Sequence, residues 1–394
     1  MTMDPSRPPP LMTSESFARY TMTHRLPSIV VDVIAENAYP PQVVARLQAL
    51  RDEILGHAVR PLTEDTFDVT VWNQAWEEYR GRTWLEIPWY FAESYFYRRL
   101  LEATCYFQPG EWQGHDPFEA RKRRALEVRG SVSVLEKVLA GEPQDAQRRF
   151  VALLHGSLWG NRADLSNITL AARPEDGLSR SSRDDLLIDH TDAAWALVTS
   201  GRLRRVDFIC DNAGLETLLD LALAGFLLAE GLSQRAVFHL KAQPFFVSDA
   251  MIKDVPLMLT ALCQMGGAAA ELAARMEKYR REGRWSLKDD PFWTSWLGFP
   301  EMPAHLHDEL AQSDLIVLKG DLNYRRLLDD RCWPSTTDME DVAAYFLKPF
   351  LTLRTLKAEI IVGLRRGQAE TIAATEPDWL VNGRRGIIHL VEGK

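Results

Sequence analysis

Residues 206–221 read Val-Asp-Phe-Ile-Cys-Asp-Asn-Ala-Gly-Leu-Glu-Thr-Leu-Leu-Asp-Leu and combine the end of a strand with the start of a helix. The first apolar run is typical of a buried strand, and after residue 214 the apolar residues recur at helical spacing. Asp211 and Asn212 therefore follow the carboxyl end of a predicted strand. In open α/β sheets, ligands bind at this edge because strand ends and helix N-termini meet there.

The polar groups of this turn are oxygen ligands of the kind that a small hard cation prefers. Asp211 offers a carboxylate and Asn212 a carboxamide, which suit Mg²⁺ or Mn²⁺ and are poor choices for core packing. Gly214 allows the backbone to approach a ligand, and Glu216 lies where a helix N-terminus favours a carboxylate. The alternative interpretation is that Asp211 caps the helix and Glu216 only occupies its first turn.

The composition indicates an ordinary globular protein. The chain has 394 residues, of which 46% are hydrophobic and 26% charged, and its length favours two regions. A net charge of −9 argues against non-specific nucleic-acid binding. No apolar run reaches the roughly 20 residues of a membrane span, and no signal peptide is visible, so we expect a cytoplasmic protein without membrane contact. The scattered cysteines indicate neither a zinc site nor disulfides.

The N-terminal half is predicted to be mostly helical. Residues 1–20 are rich in Pro, Ser and Met and are predicted to be a disordered tail. Helical periodicity then dominates residues 21–200, with two helices expected within 26–62 and further helices near 84–100, 119–139, 144–154 and 185–200. The polar segment 158–167 is interpreted as a loop, either a plain connection or one that lines a cleft.

The C-terminal half, residues 201–394, is predicted to be a doubly wound α/β domain. Short apolar runs alternate with amphipathic helices there, which is typical of parallel strands with helical crossovers. One long helix is expected over 255–284, followed by an aromatic loop at 290–300. The expected strands cover residues 206–210, 236–240, 315–318, 359–362 and 386–391.

Polar groups are also predicted near other strands of the same domain. Asp249 follows a run that is otherwise apolar, and could complete an oxygen site with Asp211 and Asn212. The segment Lys-Gly-Asp-Leu-Asn-Tyr-Arg at 319–325 and the segment Arg-Thr-Leu-Lys at 354–357 add further donors, acceptors and cations. Caps and turns explain any one of these segments, but together they favour a metal-dependent phosphoryl site.

These segments resemble the damage-control phosphatases, known earlier as domain-of-unknown-function family 89. The resemblance rests on Asp-Asn-Ala-Gly-Leu-Glu at 211–216, on the segment 319–325, and on the Arg-Thr-x-Lys motif at 354–357, which is similar to the hallmark of the third subfamily. It extends to Trp-Gly-Asn-Arg-Ala-Asp-Leu-Ser at 159–166 and covers nearly the whole chain after Thr21.

The resemblance implies a fold, a metal and a substrate class. The fold is a Rossmann-like three-layer α/β/α domain with a helical N-terminal region. The metal is Mn²⁺, Ni²⁺, Co²⁺ or Mg²⁺, and the substrate is a small phosphorylated metabolite, such as fructose 1-phosphate or fructose 6-phosphate. The metal ligands carry over onto Asp211, Asn212 and Asp249. The substrate contacts carry over onto Asn212, Glu216, Asp321, Leu322, Asn323, Tyr324, Arg325 and Lys357.

We expect Lys357 and Arg325 to neutralise the phosphoryl oxygens, and Asp321 to orient the nucleophile or relay a proton. Either water or Asp211 is the nucleophile, although aspartyl-phosphate phosphatases place a second Asp where this chain has Ala213. Two other functions compete with a phosphatase: a carboxyl methyltransferase that uses S-adenosylmethionine, and a metabolite-binding protein without catalysis. No glycine-rich G-x-G-x-x-G turn supports the methyltransferase.

Overall fold

The structure is a computed structural model that describes residues 8–13, 16–127, 135–136, 138–139, 145–165, 184–346 and 348–393. Its centre is a seven-stranded sheet with the strand order β1-β7-β6-β5-β2-β3-β4. Neighbouring strands run parallel except β6 and β7, which are antiparallel. The strands are β1 (Leu186–Asp189), β2 (Arg205–Ile209), β3 (Arg235–Lys241), β4 (Trp285–Asp290), β5 (Leu315–Lys319), β6 (Phe350–Thr355) and β7 (Gly386–Val391).

Helices precede the sheet and connect its strands. Those before it are α1 (Ser16–Tyr20), a π-helix (Thr21–Arg25), α2 (Leu26–Glu36), α3 (Pro41–Ile54), α4 (Val69–Glu77), α5 (Trp89–Ala103), α6 (Glu119–Glu127) and α7 (Ala146–Leu165). Those between its strands are α8 (Thr191–Val198), α9 (Leu215–Ala229), α10 (Asp254–Met265), α11 (Gly267–Arg281), α12 (Ala304–Leu310), α13 (Gly320–Leu327), α14 (Met339–Val342) and α15 (Gln368–Ala373), with 3₁₀-helices at Pro291–Thr294 and Phe299–Glu301.

The sheet separates two hydrophobic cores, which makes the fold a three-layer α/β/α arrangement. Along β5, Leu315 and Val317 face one core, while Ile316 and Leu318 face the other, as expected for a strand buried on both sides. Helices α7 and α9 pack together in the first core. Residues of α2, α3, α5 and α13 contribute to the second. The predicted fold class is therefore confirmed.

One predicted helix and one predicted strand are wrong. Residues 185–200 are not one helix, because Leu186–Asp189 forms β1 and pairs with β7. The sheet thus begins before the predicted boundary at residue 201. Residues 359–362 are mostly buried but form no strand. The strand is Phe350–Thr355, so the Arg-Thr-x-Lys motif at 354–357 spans the end of a strand instead of preceding a strand. The strand predicted at 386–391 is β7, but its antiparallel pairing with β6 is not predicted, and neither is the edge strand β4.

Three helix and loop predictions need correction. Helix α7 continues through Leu165, so residues 158–165 are not a loop, and residues 166–167 lie outside the described part of the chain. The expected helix over 255–284 is broken at Gly266, which has φ +76°. Part of the predicted disordered tail is ordered: Met12 is buried and its amide donates to Asp330, and α1 lies in the same segment.

Among the described residues, no helix is both long and apolar enough to cross a membrane.

Candidate active site

A cleft of about 310 Å³ lies at the carboxyl ends of the central strands. This is the edge at which the sequence predicts a site. Seven of the predicted residues line the cleft: Asp211, Asn212, Asp249, Asp321, Leu322, Arg325 and Lys357. Its other walls come from Phe17, Arg25, Trp89, Glu93, Phe246, Ser248, Val381, Asn382 and Gly383.

The backbone holds the turn after β2 against the loop after β3. Asn212 and Asp249 form an isolated antiparallel bridge, and the Ala250 amide donates to the Asp211 carbonyl at 2.7 Å. Just before Asp249, Phe246 and Val247 have φ +42° and +69°. Non-glycine residues in this left-handed region cost about 1–3 kcal/mol each. The strained loop therefore brings the three predicted metal ligands together.

The carboxylates in this part of the cleft crowd one another. Burial, and then the negative charges of Asp249 and Glu216, hold the pKa of Asp211 well above its usual range. Burial also raises the pKa of Asp249, although Lys241 opposes the rise. Within the described residues, Asp249 Oδ2 accepts no hydrogen bond, and Lys241 Nζ lies 3.4 Å from it. A divalent cation would relieve this crowding, so the donor set fits such an ion.

Asn212 connects the two acidic groups beside it. Its Nδ2 donates to Asp211 Oδ2 and to Glu216 Oε2, each at 2.9 Å, and its Oδ1 accepts from the Ser248 hydroxyl. Glu216 itself does not line the cleft and lies 3.5 Å from Lys319 Nζ. The structure thus places Glu216 behind Asn212, where it orients the amide.

The Asp211 carboxylate is fixed from one side by a glycine. Gly320, the first residue of α13, has φ +80°, and a Cβ atom there would lie 1.9 Å from Asp211 Oδ2. No other residue type fits this approach without moving Asp211. The glycine of the predicted segment 319–325 is therefore part of the site geometry.

Asp321 is held by the Arg-Thr-x-Lys motif. Its Oδ1 accepts from Arg354 Nε at 2.7 Å and from the Lys357 amide at 3.1 Å. The Arg354 guanidinium is fully buried and also donates to the carbonyls of Ile360 and Ala358. The arginine of the motif therefore positions an aspartate, while the Lys357 side chain reaches the cleft.

The charge of Lys357 depends on its acidic neighbours. Burial lowers the pKa of its ammonium group, while Glu216, Asp211 and Asp321 favour the charged form.

Arg325 lines the cleft, but its charge is already matched. Its guanidinium donates to Glu93 at 2.5 Å and to Asp330 at 2.7 Å, and lies 3.8 Å from the centre of the Trp89 ring. These contacts hold the pKa of Arg325 above its usual range despite burial. An arginine with two buried carboxylate partners is better suited to shaping a wall than to binding a further anion.

Besides Glu216, two other predicted substrate residues, Asn323 and Tyr324, do not line the cleft. Asn323 is fully buried, and its Nδ2 donates to the Lys319 carbonyl at 2.8 Å and to the Cys210 carbonyl at 3.3 Å. Tyr324 accepts a hydrogen bond from the Val362 amide, and its ring lies under the Arg354 guanidinium. Asn323 thus connects the ends of β2 and β5, and Tyr324 connects Arg354 of β6 to the segment after that strand, so their contribution to the site is indirect.

Several residues of the site have no direct signal in the sequence. Arg25 and Phe17 come from the N-terminal helices, and Asn382 and Gly383 from the turn before β7. Lys319 is fully buried below the cleft, where its Nζ lies 3.1 Å from Asp220 Oδ1. The sequence contains one sign of this arrangement: Lys319 directly follows four apolar strand residues, and a lysine buried at such a position needs acidic partners.

Comparison with known proteins identifies the fold and the family of this chain. The fold is shared with a family-89 protein from Pyrococcus horikoshii, whose crystal structure has a TM-score of 0.52 and 13% sequence identity and covers 97% of this chain and 100% of that chain. The family model of the damage-control phosphatase ARMT1-like domain matches residues 21–372. The chain belongs to this family.

Relatives named damage-control phosphatase ARMT1 align over most of both chains. The protein from Danio rerio is 32% identical over 427 residues, covering 95% of this chain and 94% of the relative. The Mus musculus protein is 32% identical over 421 residues, covering 95% of each, and the Homo sapiens protein is 30% identical over 425 residues, covering 94% and 95%. The predicted family is confirmed, and the chain is a phosphatase of the metabolite-repair class.

Proposed function

We propose that this phosphatase is metal-dependent and hydrolyses small sugar phosphates, such as fructose 1-phosphate or fructose 6-phosphate. The observation that carries the proposal is the meeting of Asp211, Asn212 and Asp249 with Lys357 in one cleft. Buried carboxylates supply ligands for Mn²⁺, Ni²⁺, Co²⁺ or Mg²⁺, and the lysine supplies positive charge for a phosphoryl group. Damage-control phosphatases are generally dependent on a divalent metal, which supports the same choice.

The size of the cleft supports a small substrate. A volume of about 310 Å³ lies at the lower end of ligand sites in proteins and suits a metabolite better than a polymer. Phe17, Trp89 and Phe246 provide apolar wall area beside the charged groups. This combination fits a compact ester with one phosphoryl group and a polar carbon skeleton.

A bound divalent metal would polarise a phosphoryl oxygen and lower the pKa of a coordinated water. Lys357 binds the equatorial phosphoryl oxygens and stabilises the charge that develops on them. Asp321, which is held by Arg354 and the Lys357 amide, orients the attacking water and accepts its proton, while the P–O bond to the sugar breaks and solvent protonates the departing sugar oxygen. Asn212 and Glu216 hold the acidic groups in position.

A cytoplasmic location, like the division of the chain at residue 201, stays a prediction.

The test is phosphate release from a panel of sugar phosphates by the full chain, after treatment with EDTA and after addition of each metal. We expect activity only with metal, and a loss of at least about 100-fold in Asp211→Asn, because one of the few anionic ligands is removed. Asp289→Asn is the matched control, since Asp289 is an exposed aspartate on β4.

Two results would contradict the proposal. One is full turnover by the metal-free protein or by Asp211→Asn. The other is an absence of phosphate release across the panel together with transfer of labelled methyl groups from S-adenosylmethionine to carboxylates, which would support the methyltransferase instead.

A further inference from the structure

The N-terminal helical region contributes a cationic side chain, that of Arg25, to the lining of the cleft. Residues 16–36 form one continuous helical segment, and its π-helical turn, Thr21–Arg25, ends on an arginine that lines the cleft. The Leu26 amide donates to the carbonyl of Thr21, five residues earlier, which is the hydrogen bond of a π-helix. Single π turns within α-helices are uncommon and occur frequently at functional sites.

The π turn determines which side chains of this segment share a face. An α turn takes about 3.6 residues, and a π turn takes about one residue more, so Phe17 and Arg25 are separated by about two full turns. Phe17 packs edge-on against Trp89, with ring centres 6.2 Å apart, and both rings line the cleft. In a regular α-helix, Arg25 would be rotated away from the face that Phe17 occupies. The π turn therefore directs Arg25 toward the cleft.

Arg25 differs from the other arginine of the cleft in its partners. Arg325 has two buried carboxylate partners, Glu93 and Asp330. Arg25 is exposed, and across the described ranges no carboxylate lies within 4.0 Å of its guanidinium. Burial raises the pKa of Glu93, and the charges of Arg325 and Arg25 oppose that rise, so the Arg25 charge acts on the wall of the cleft.

We propose that Arg25 binds the phosphoryl oxygens of the substrate with its planar guanidinium, on the side of the cleft formed by the N-terminal helices. This inference rests on the proposed phosphatase function and assigns to Arg25 the role that the sequence suggests for Arg325. A guanidinium without a carboxylate partner in an acidic cleft gains a bidentate partner when a phosphoryl dianion enters.

The test compares Arg25→Gln and Arg25→Lys with Arg19→Gln in the full chain with Mn²⁺. Arg19 is the matched control, because it is an exposed arginine of α1 and does not line the cleft. The probes are the inhibition constant of inorganic phosphate, the KM for a hydrolysed sugar phosphate, and inhibition by free fructose. Mn²⁺ affinity and the urea unfolding midpoint are measured for each variant.

In Arg25→Gln, we expect the inhibition constant of phosphate and the KM to rise by about 10-fold or more, because a charge-assisted contact is lost. Arg25→Lys should recover part of the loss, while Mn²⁺ affinity, inhibition by fructose and the unfolding midpoint stay at the wild-type values. Arg19→Gln should leave every one of these quantities unchanged.

The inference is overturned if phosphate inhibits Arg25→Gln as strongly as Arg19→Gln while the wild type is active. A rise in KM and in the fructose inhibition constant without a change for phosphate would also overturn it, since Arg25 would then contact the sugar. If the wild type neither releases phosphate from any ester nor binds inorganic phosphate, the proposed function fails, and this inference fails with it.

Discussion

Replacing Gly320 by alanine should displace the Asp211 carboxylate. The added Cβ atom would lie 1.9 Å from Oδ2 and 2.4 Å from Cγ of Asp211, so the carboxylate must retreat by more than about 1 Å to reach an ordinary contact. A displacement of this size in a reacting site costs about 100-fold in rate. The left-handed backbone of residue 320 adds roughly 1–2 kcal/mol of destabilisation for any L-residue with a Cβ atom.

Gly367 offers a control that separates these two effects. Its φ of +79° is close to the +80° of Gly320, but no atom lies within 4 Å of the Cβ position. Urea unfolding should therefore show a loss of about 1–2 kcal/mol for Gly367→Ala and at least that loss for Gly320→Ala. Only Gly320→Ala should lose about 100-fold in kcat/KM for phosphate release with Mn²⁺. If Gly320→Ala were no less active than Gly367→Ala, the role assigned to the Gly320 contact would be wrong.

Lys357, Lys319 and His389 provide three further tests. Lys357→Met should raise the inhibition constant of inorganic phosphate by about 10-fold with Mn²⁺ affinity unchanged in calorimetry, and unaltered constants would assign Lys357 to structure. Lys319→Met should lower the free energy of unfolding by about 3–5 kcal/mol in urea, because Asp220 lies 3.1 Å from Nζ and would stay buried without its cation. Adding Asp220→Leu should recover part of that loss, and no recovery would contradict the pairing. Burial, with a smaller effect of His190, lowers the pKa of His389 from 6.5 to about 4. Between these two pH values the unfolded chain binds a proton that the folded protein does not bind, so the free energy of unfolding falls by roughly 3 kcal/mol as the pH drops from 6.5 to about 4. His389→Gln should remove this pH dependence of the urea midpoint, and an unchanged dependence would show that another group causes it.

The acidic end of the site could be predicted because it depends on strand ends. The apolar run before Asp211 and the run before Asp321 each define a buried strand, and the chain must turn polar where such a strand leaves the core. Parallel neighbours then bring these ends to one edge of the sheet, as β2 and β5 do.

The roles within the segment 319–325 could not be predicted, because they depend on the rotation of α13. Asp321, Leu322 and Arg325 line the cleft, while Asn323 and Tyr324 point to the strand ends beside it. Because successive helix residues are rotated by about 100°, Asp321, Leu322 and Arg325 share one face of α13, while Asn323 and Tyr324 lie on the other. The starting angle of the helix is set by Gly320 against Asp211, a contact between residues far apart in the sequence.

The contribution of the N-terminal helices was missed for a related reason. Phe17 and Arg25 belong to a segment predicted in part as a disordered tail, and no local pattern marks an extra residue in a helical turn. Only the three-dimensional structure shows the Leu26 to Thr21 hydrogen bond and the face that results.

The cleft takes residues from both ends of the chain: Phe17 and Arg25 lie near its beginning, and Asn382 and Gly383 near its end. A ligand bound there connects segments that separate when the protein unfolds, so it must raise the free energy of unfolding, by about 2.7 kcal/mol at 100 times its dissociation constant. The N-terminal helical segment, residues 16–36, would then be protected from proteases as occupancy of the cleft rises. The supply of substrate would thus affect the resistance of the enzyme to proteolysis as well as its rate of turnover.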